Sequence, residues 1–348
     1  MDPLVLIFLT SGLFLGWALG ANDAANVFGT AVGTKMVKFR TAAIICSVFV
    51  ILGALISGAG ASHTLGKLGA ISALPGAFMT ALSAAIAVYS MTKSGLPVST
   101  SQAIVGAIIG WNLFSNNPTD SSTLLKILST WVLCPVLSAI VAVILLKTIK
   151  IIGKRLNVHM IAADAYTRAS LIFAGAFGAY SLGANNIANV VGVFIPAKPF
   201  PDIVAGGFVF NSTQQLFLMG GLAISVGVFT YSRGVMMTVG GNLGRLSSTS
   251  AFVAVMSHSI VLFLFASRGL ETWLAGHGLP TIPLVPVSSS QAVVGAIVGI
   301  SILQGTTGIR WAVLGKIIAG WIATPFVAGT MCFIGLFFLQ NVFGLVVK

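Results

Sequence analysis

Ten stretches of this chain run apolar for about twenty residues or more: 4–33, 41–61, 71–92, 96–115 and 124–147, then 169–196, 203–229, 248–267, 283–304 and 311–339. A helix needs roughly twenty apolar residues to cross the hydrocarbon of a bilayer, so the pattern predicts an all-α polytopic membrane protein. Hydrophobic residues make up 57% of the 348 and charged ones 7%, which leaves no room for a soluble catalytic domain. The 18 Lys and Arg outnumber the 6 Asp and Glu, for a net charge of +12. In a soluble protein that excess would point to nucleic acid. In a membrane it orients the chain, so the lipid bilayer and not nucleic acid is the expected partner.

The segments fall into two sets of five around one hydrophilic stretch, which carries Lys147, Lys150, Lys154, Arg155 and Arg168 against Asp164. The expected organisation is an N-terminal transmembrane repeat over 1–146, a basic cytoplasmic linker over 147–168 and a C-terminal transmembrane repeat over 169–348. If each segment crosses once from an external N-terminus, the inner loops collect most of the cations. Lys35, Lys38, Arg40, Lys93, Arg233, Arg245, Arg310 and Lys316 then join the linker inside, as the positive-inside rule requires. Both termini are external in that arrangement, and the compact loops suggest a prokaryotic inner membrane. The first apolar run has no basic residue before it, the first cation being Lys35, so it reads as a span and not as a signal sequence.

Two motifs occur twice, in the same order. Gly20-Ala-Asn-Asp-Ala-Ala-Asn-Val-Phe-Gly29 matches Gly183-Ala-Asn-Asn-Ile-Ala-Asn-Val-Val-Gly192 at seven of ten positions. Pro97-Val-Ser-Thr-Ser-Gln-Ala-Ile-Val-Gly-Ala-Ile-Ile-Gly110 matches Pro286-Val-Ser-Ser-Ser-Gln-Ala-Val-Val-Gly-Ala-Ile-Val-Gly299 at eleven of fourteen. A weaker echo sets Trp131 and Pro135 against Trp321 and Pro325. An odd number of crossings per half turns the second copy over in the membrane, giving two inverted-topology repeats with broken or re-entrant helices, an arrangement common in secondary transporters. A bundle duplicated for packing alone would repeat its glycines but would need no Asn or Gln.

The first motif predicts an interruption of the helix that lines a cavity, because irregular backbone is tolerated in a membrane only there or where protein buries it. Its side chains Asn22, Asp23 and Asn26, with Asn185, Asn186 and Asn189, supply neutral oxygens and one carboxylate, which suits a hard cation such as sodium. Asp23 is the only acidic residue well inside an apolar segment. Its nearest basic residue in sequence, Lys35, would be about 18 Å away along an ideal helix. Asp23 therefore needs a cation, a proton or an Arg from another span. The second motif reads as a helix start. There the free N–H groups and positive dipole end suit an anion, with Ser99, Thr100, Ser101, Gln102 and Ser288, Ser289, Ser290, Gln291 as added donors. Ordinary capping by the serines is the competing reading of either copy alone. With no basic residue in either motif, an anion bound between them depends on bound cations for neutralisation.

These paired motifs resemble those of the inorganic phosphate transporter (PiT) family, and the resemblance covers both halves. It implies a secondary transporter that imports inorganic phosphate with sodium or protons, phosphate lying near the serine-rich helix starts and sodium near the Asn and Asp positions. The run from Asn22 to Thr34 is more similar to the sodium-coupled branch. The family often has Asp where this chain has Asn186, which puts the number of coupled cations in question. Relatives that carry sulfate lose the Asn-Asp signature, intact here at Asn22 and Asp23. The rival transport readings are a proton-coupled phosphate symporter and a sulfate or other oxyanion permease. An ion channel fits less well, because filters come in symmetric copies. No enzyme is expected, since His63, His159, His258 and His277 have no motif partner, and His258 reads as a satisfied packing residue. Cys46, Cys134 and Cys332 read as inert core residues, no cofactor is implied beyond coupling ions, and a homo-oligomer is left open.

Overall fold

The computed structural model describes residues 3–93, 98–155, 160–205, 207–242, 247–305 and 311–348; Pro97, His159, Arg245 and Arg310 lie outside them. The helices of the first half are α1 (Pro3–Gly33), α2 (Phe39–Ser57), α3 (Ala59–Leu68), α4 (Leu74–Lys93), α5 (Thr100–Ser115) and α6 (Ser121–Arg155). Those of the second are α7 (Met160–Val191), α8 (Ser212–Thr230), α9 (Ser232–Asn242), α10 (Ser248–Leu264), α11 (Arg268–Gly276), α12 (Ser289–Gln304) and α13 (Trp311–Asn341). A short antiparallel hairpin, β1 (Ile203–Ala205) and β2 (Phe208–Phe210), precedes α8 and pairs Ile203 with Phe210. Much of the basic stretch expected as a linker is helical. Residues 147–155 complete α6 and 160–168 begin α7.

The halves interlock instead of standing side by side. α1 packs on α8 and α7 on α2; α5 packs on α13 and α12 on α6. Glycine makes these crossings possible. A Cβ at Gly20 would sit 2.0 Å from the Ile224 carbonyl oxygen, and one at Gly227 2.1 Å from that of Trp17. The other half repeats the arrangement, with Gly183 2.1 Å from the Val50 oxygen and Gly53 2.0 Å from that of Tyr180. The motif glycines thus let backbones touch, and the helices through them stay whole. α1 and α7 run unbroken through both Asn motifs, contrary to the expected interruption.

α5 and α12, which carry the second motif, are too short to cross a bilayer. Each has sixteen residues, about 24 Å at 1.5 Å per residue, less than the roughly 30 Å hydrocarbon core. Both begin after a capping serine, Ser99 or Ser288, and both end at a left-handed residue, Asn116 at φ 55° or Gly305 at φ 104°. Each lies against the proline of a long helix from the other half. A Cβ at Gly106 would be 2.1 Å from the Pro325 oxygen, and one at Gly295 2.2 Å from that of Pro135. The repeated Trp and Pro residues therefore mark where a long helix receives a short one.

Six described helices are long and apolar enough to cross a membrane, seven if α10 and α11, bent by 64°, form one broken span. The ten single crossings expected above are not seen. The apolar character of 96–115 and 283–304 comes from burial inside the protein, where α5 and α12 are wrapped by other helices. The cation count that put both termini outside loses its premise with them. On the outer faces of α6 and α13, Leu125, Val132, Val136, Ile140, Ile322, Phe326 and Phe337 are exposed, as a lipid-facing surface requires. The three cysteines are free and buried.

Gly106→Ala is expected to cost about 1–3 kcal/mol through overpacking against Pro325. Gly66→Ala, with nothing near its added Cβ, should be neutral or slightly stabilising. Thermal unfolding of the two purified variants in detergent checks the contrast.

Candidate functional site

α1 presents Asn22, Asp23 and Asn26, and α7 presents Asn185, Asn186 and Asn189, all buried. On α1, Asn22 Nδ2 donates to Asp23 Oδ1 at 2.9 Å and Asn26 Nδ2 reaches the same oxygen at 3.4 Å. On α7, Asn189 Nδ2 donates to Asn186 Oδ1 at 2.9 Å. The i, i+3 spacing puts each pair on one helix face, and the second copy repeats the first with an amide in place of the carboxylate. Among the described residues no Lys or Arg forms an ion pair with Asp23.

Each of these helices then reaches a short helix of the opposite half. Asn26 Nδ2 donates to Ser289 Oγ at 3.0 Å, and Asn189 Nδ2 donates to Ser101 Oγ at 2.9 Å. The helix starts themselves meet, because Ser101 Oγ donates to the Val287 carbonyl at 3.0 Å, one residue before the cap of α12. Two positive helix ends lie together in a water-poor interior, an arrangement that favours an anion between them.

The sequence-derived residues divide by job. Ser99 and Ser288 are caps, their hydroxyls accepting the Gln102 and Gln291 amide N–H groups at 3.2 Å. For these two the ordinary capping reading is the better one. Ser288 also exchanges a hydrogen bond with Ser290 at 3.1 Å. Asn185 is a clamp. Its Nδ2 donates to the Val285 carbonyl at 3.2 Å and its Oδ1 accepts from Val287 N at 3.0 Å, which fixes the extended approach to α12. Thr100, Gln102, Asn186, Asn189 and Gln291 each keep a buried polar atom without a partner: Thr100 Oγ1, Gln102 Oε1, Asn186 Nδ2, Asn189 Oδ1 and Gln291 Oε1. Folded proteins rarely leave such atoms unpaired, so their concentration at this junction marks a place for a polar ligand. The Oε1 and Oδ1 atoms suit a hard cation or a hydroxyl of a protonated oxyanion, while the hydroxyls and amides suit anionic oxygens.

Sequence reading missed His258 of α10, whose Nε2 lies 2.9 Å from Ser289 Oγ while its Nδ1 has no partner. It is therefore not the satisfied packing residue expected; the burial that packing requires is present, but half its hydrogen bonding is not. A lone histidine in an apolar run offers no signal that separates the two cases. Two cavities lie among the surrounding helices. One of about 600 Å³ has Gln102 in its wall beside Trp131 and Trp321. The other, of about 360 Å³, is lined by Ser62, His63, Lys67, Gly192 and Thr213 at the end of α7.

Comparison with known proteins agrees with this geometry. A profile described as the phosphate transporter family matches residues 19–163, 154–329 and 273–346. A protein of Pyrococcus furiosus whose name reads "Putative phosphate permease" is 26% identical, with 95% of each chain covered. The sulfate permease CysP of Bacillus subtilis is 28% identical over 91% of this chain and 82% of its own. A solved structure titled "The sodium-dependent phosphate transporter" superimposes with a TM-score of 0.74 at 22% identity, covering 97% of this chain and 99% of that one. The likeness to that structure shows the fold, that of a predominantly helical membrane protein.

Replacing Asn185 by Ala unpairs two buried backbone groups, each worth about 1–3 kcal/mol. The expected outcome is a lowered melting temperature of the purified protein that sodium does not restore.

Proposed function

The chain belongs to the phosphate transporter family and is a transporter, not an enzyme; from that premise we propose that it carries inorganic phosphate by symport with sodium ions, through the junction of α1, α5, α7 and α12. The observation that carries this reading is the meeting of two capped helix starts, from opposite halves, around unpartnered buried polar atoms. Thr100 and Gln102 hold the phosphate from one side, and Ser289, Ser290 and Gln291 from the other, while Ser101, its hydroxyl hydrogen given to the Val287 carbonyl, ties the two helix starts together. Ser99 and Ser288 keep the two helix starts formed.

Sodium follows from charge. Asp23 is buried, and its partners Asn22 and Asn26 are neutral. Adding a phosphate anion would place several negative charges in a medium that cannot solvate them. Bound sodium on Asp23 with the oxygens of Asn22 and Asn26 supplies the missing charge, so phosphate and cation bind well only together, which is the coupling a symporter needs. Asn186 with the free Asn189 Oδ1 forms a second, uncharged cation position of lower affinity. The solved neighbour's name agrees with sodium. The cavity beside His63 and Lys67 offers the anion a basic approach. Asn185, committed to Val285 and Val287, serves this site by holding the start of α12.

The sulfate permease among the relatives makes sulfate the second reading. Labelled phosphate uptake into proteoliposomes decides it, under an inward sodium gradient against potassium at the same pH, with sulfate as competitor. Sodium-dependent uptake that excess sulfate leaves intact is expected. Uptake driven by a proton gradient alone would make Asp23 a proton carrier, and sulfate uptake without phosphate uptake would overturn the substrate. In the same assay Asp23→Asn should lower sodium-driven uptake by about tenfold or more, the scale of one lost charged interaction. Asn186→Asp should tighten the sodium dependence measured as the concentration for half-maximal uptake.

A further inference from the structure

The two halves differ at the site in several contacts, and the one made by His258 bears on the anion cradle. α10 repeats α4: Ala251-Phe252 answers Ala77-Phe78, Ser257 answers Ser83 and Ile260 answers Ile86. By that register His258 stands where the first half has Ala84, and both positions are fully buried. A methyl group fills the place in one half. In the other an imidazole extends to the first residue of α12, with Nε2 2.9 Å from Ser289 Oγ.

The hydrogen-bond capacity of Ser289 gives this contact a consequence. A serine hydroxyl has one hydrogen and two lone pairs. Asn26 Nδ2 already donates to one lone pair at 3.0 Å. If His258 Nε2 accepts, it takes the hydroxyl hydrogen, and Ser289 has nothing to give an anion. If His258 Nε2 carries the hydrogen, it fills the second lone pair, and the hydroxyl hydrogen is left to point at the ligand. Thr100, the counterpart in the first half, has an unpartnered Oγ1 and the methyl of Ala84 where the imidazole would be.

We propose that His258 is a positioning residue for phosphate: with Asn26 it saturates the lone pairs of Ser289 and so aims the Ser289 hydroxyl at the anion, making the α12 side of the cradle the stronger one. The groups around it fit the part. Asp23 stands beyond Asn26 on α1, Cys134 of α6 donates to the Ser288 carbonyl at 3.7 Å, and the remaining facing groups of α12 are hydroxyls and amides. A donor imidazole at this point meets no competing charge on its own element.

The inference rests on the phosphate reading, and the test separates the two. Labelled phosphate uptake is measured in proteoliposomes for the unaltered protein, His258→Ala and His258→Gln, each also in a Ser289→Ala background. Ala is the residue already present in the first half, and Gln keeps a donor nitrogen. His258→Ala is expected to raise the phosphate KM about tenfold with little change in maximal rate, His258→Gln to restore most of the loss, and His258→Ala to add nothing once Ser289 is Ala. An unchanged KM in His258→Ala, an equal rise in the Ser289→Ala background, or a Gln variant as poor as Ala would overturn the assignment while leaving phosphate transport in place. Absence of phosphate uptake by the unaltered protein would defeat both. If His258→Ala does not purify as a single species, His258→Leu, which fills the space without a donor, takes its place with the same expected rise in KM, the same rescue by His258→Gln and the same outcomes that overturn the assignment.

Discussion

Everything in this fold depends on keeping two helix starts and one carboxylate in a lipid-enclosed interior without a basic residue beside them. Water would solvate these groups at no structural expense, but hydrocarbon cannot, so the protein must supply the partners. It does so with amides and hydroxyls: Asn22 and Asn26 around Asp23, Asn189 on Ser101, Ser99 and Ser288 on their own helices. What these cannot supply is net positive charge. In the proposed function that deficit is what brings an anion and a cation to the site together, since neither alone would be well accommodated.

The interlocked packing follows from the same need. If each half folded by itself, its Asn helix and its serine helix start would face only each other's backbone. Exchange between halves brings Asn26 to Ser289 and Asn189 to Ser101, so each short helix start gains a bond from the other copy. Close approach is necessary for contacts of this length, and the glycines at 20, 53, 183 and 227 allow it by letting backbone lie on backbone. Likewise Gly106 and Gly295 seat the short helices against Pro325 and Pro135. The packing residues and the binding residues are interleaved in one motif because the same surface performs both tasks. His258 adds to an asymmetry already present, since Asn26 meets Ser289 but Asn189 meets Ser101, and Asn185 clamps α12 while Asn22 binds Asp23.

How much of this was readable beforehand varies with the kind of signal. The repeat was explicit, and with it the pairing of Asn and Ser motifs, because identity at fixed order survives any tertiary arrangement. The residues of both motifs do come together, buried, at one junction. Hydropathy misled about α5 and α12, since an apolar segment wrapped by protein and one facing lipid look alike in sequence. The expected break at the Asn motif failed for a related reason: Gly20 and Gly183 signalled an irregularity, and a close helix crossing satisfies the same residue preference as a break. Asn185 could not be told from its neighbours, because its backbone partners lie about a hundred residues away. His258 was invisible for the same cause, its partner being known only once α10 and α12 are packed.

In the proposed function one anion is held jointly by the starts of α5 and α12. A cryo-EM map of the protein in lipid nanodiscs with phosphate and sodium tests it most directly. A tetrahedral density is expected within hydrogen-bond reach of Thr100 or Gln102 on one side and Ser289 or Ser290 on the other, with a cation density beside Asp23. Phosphate density that touches only one of the two helix starts, or lies outside the α1, α5, α7 and α12 junction, would contradict it.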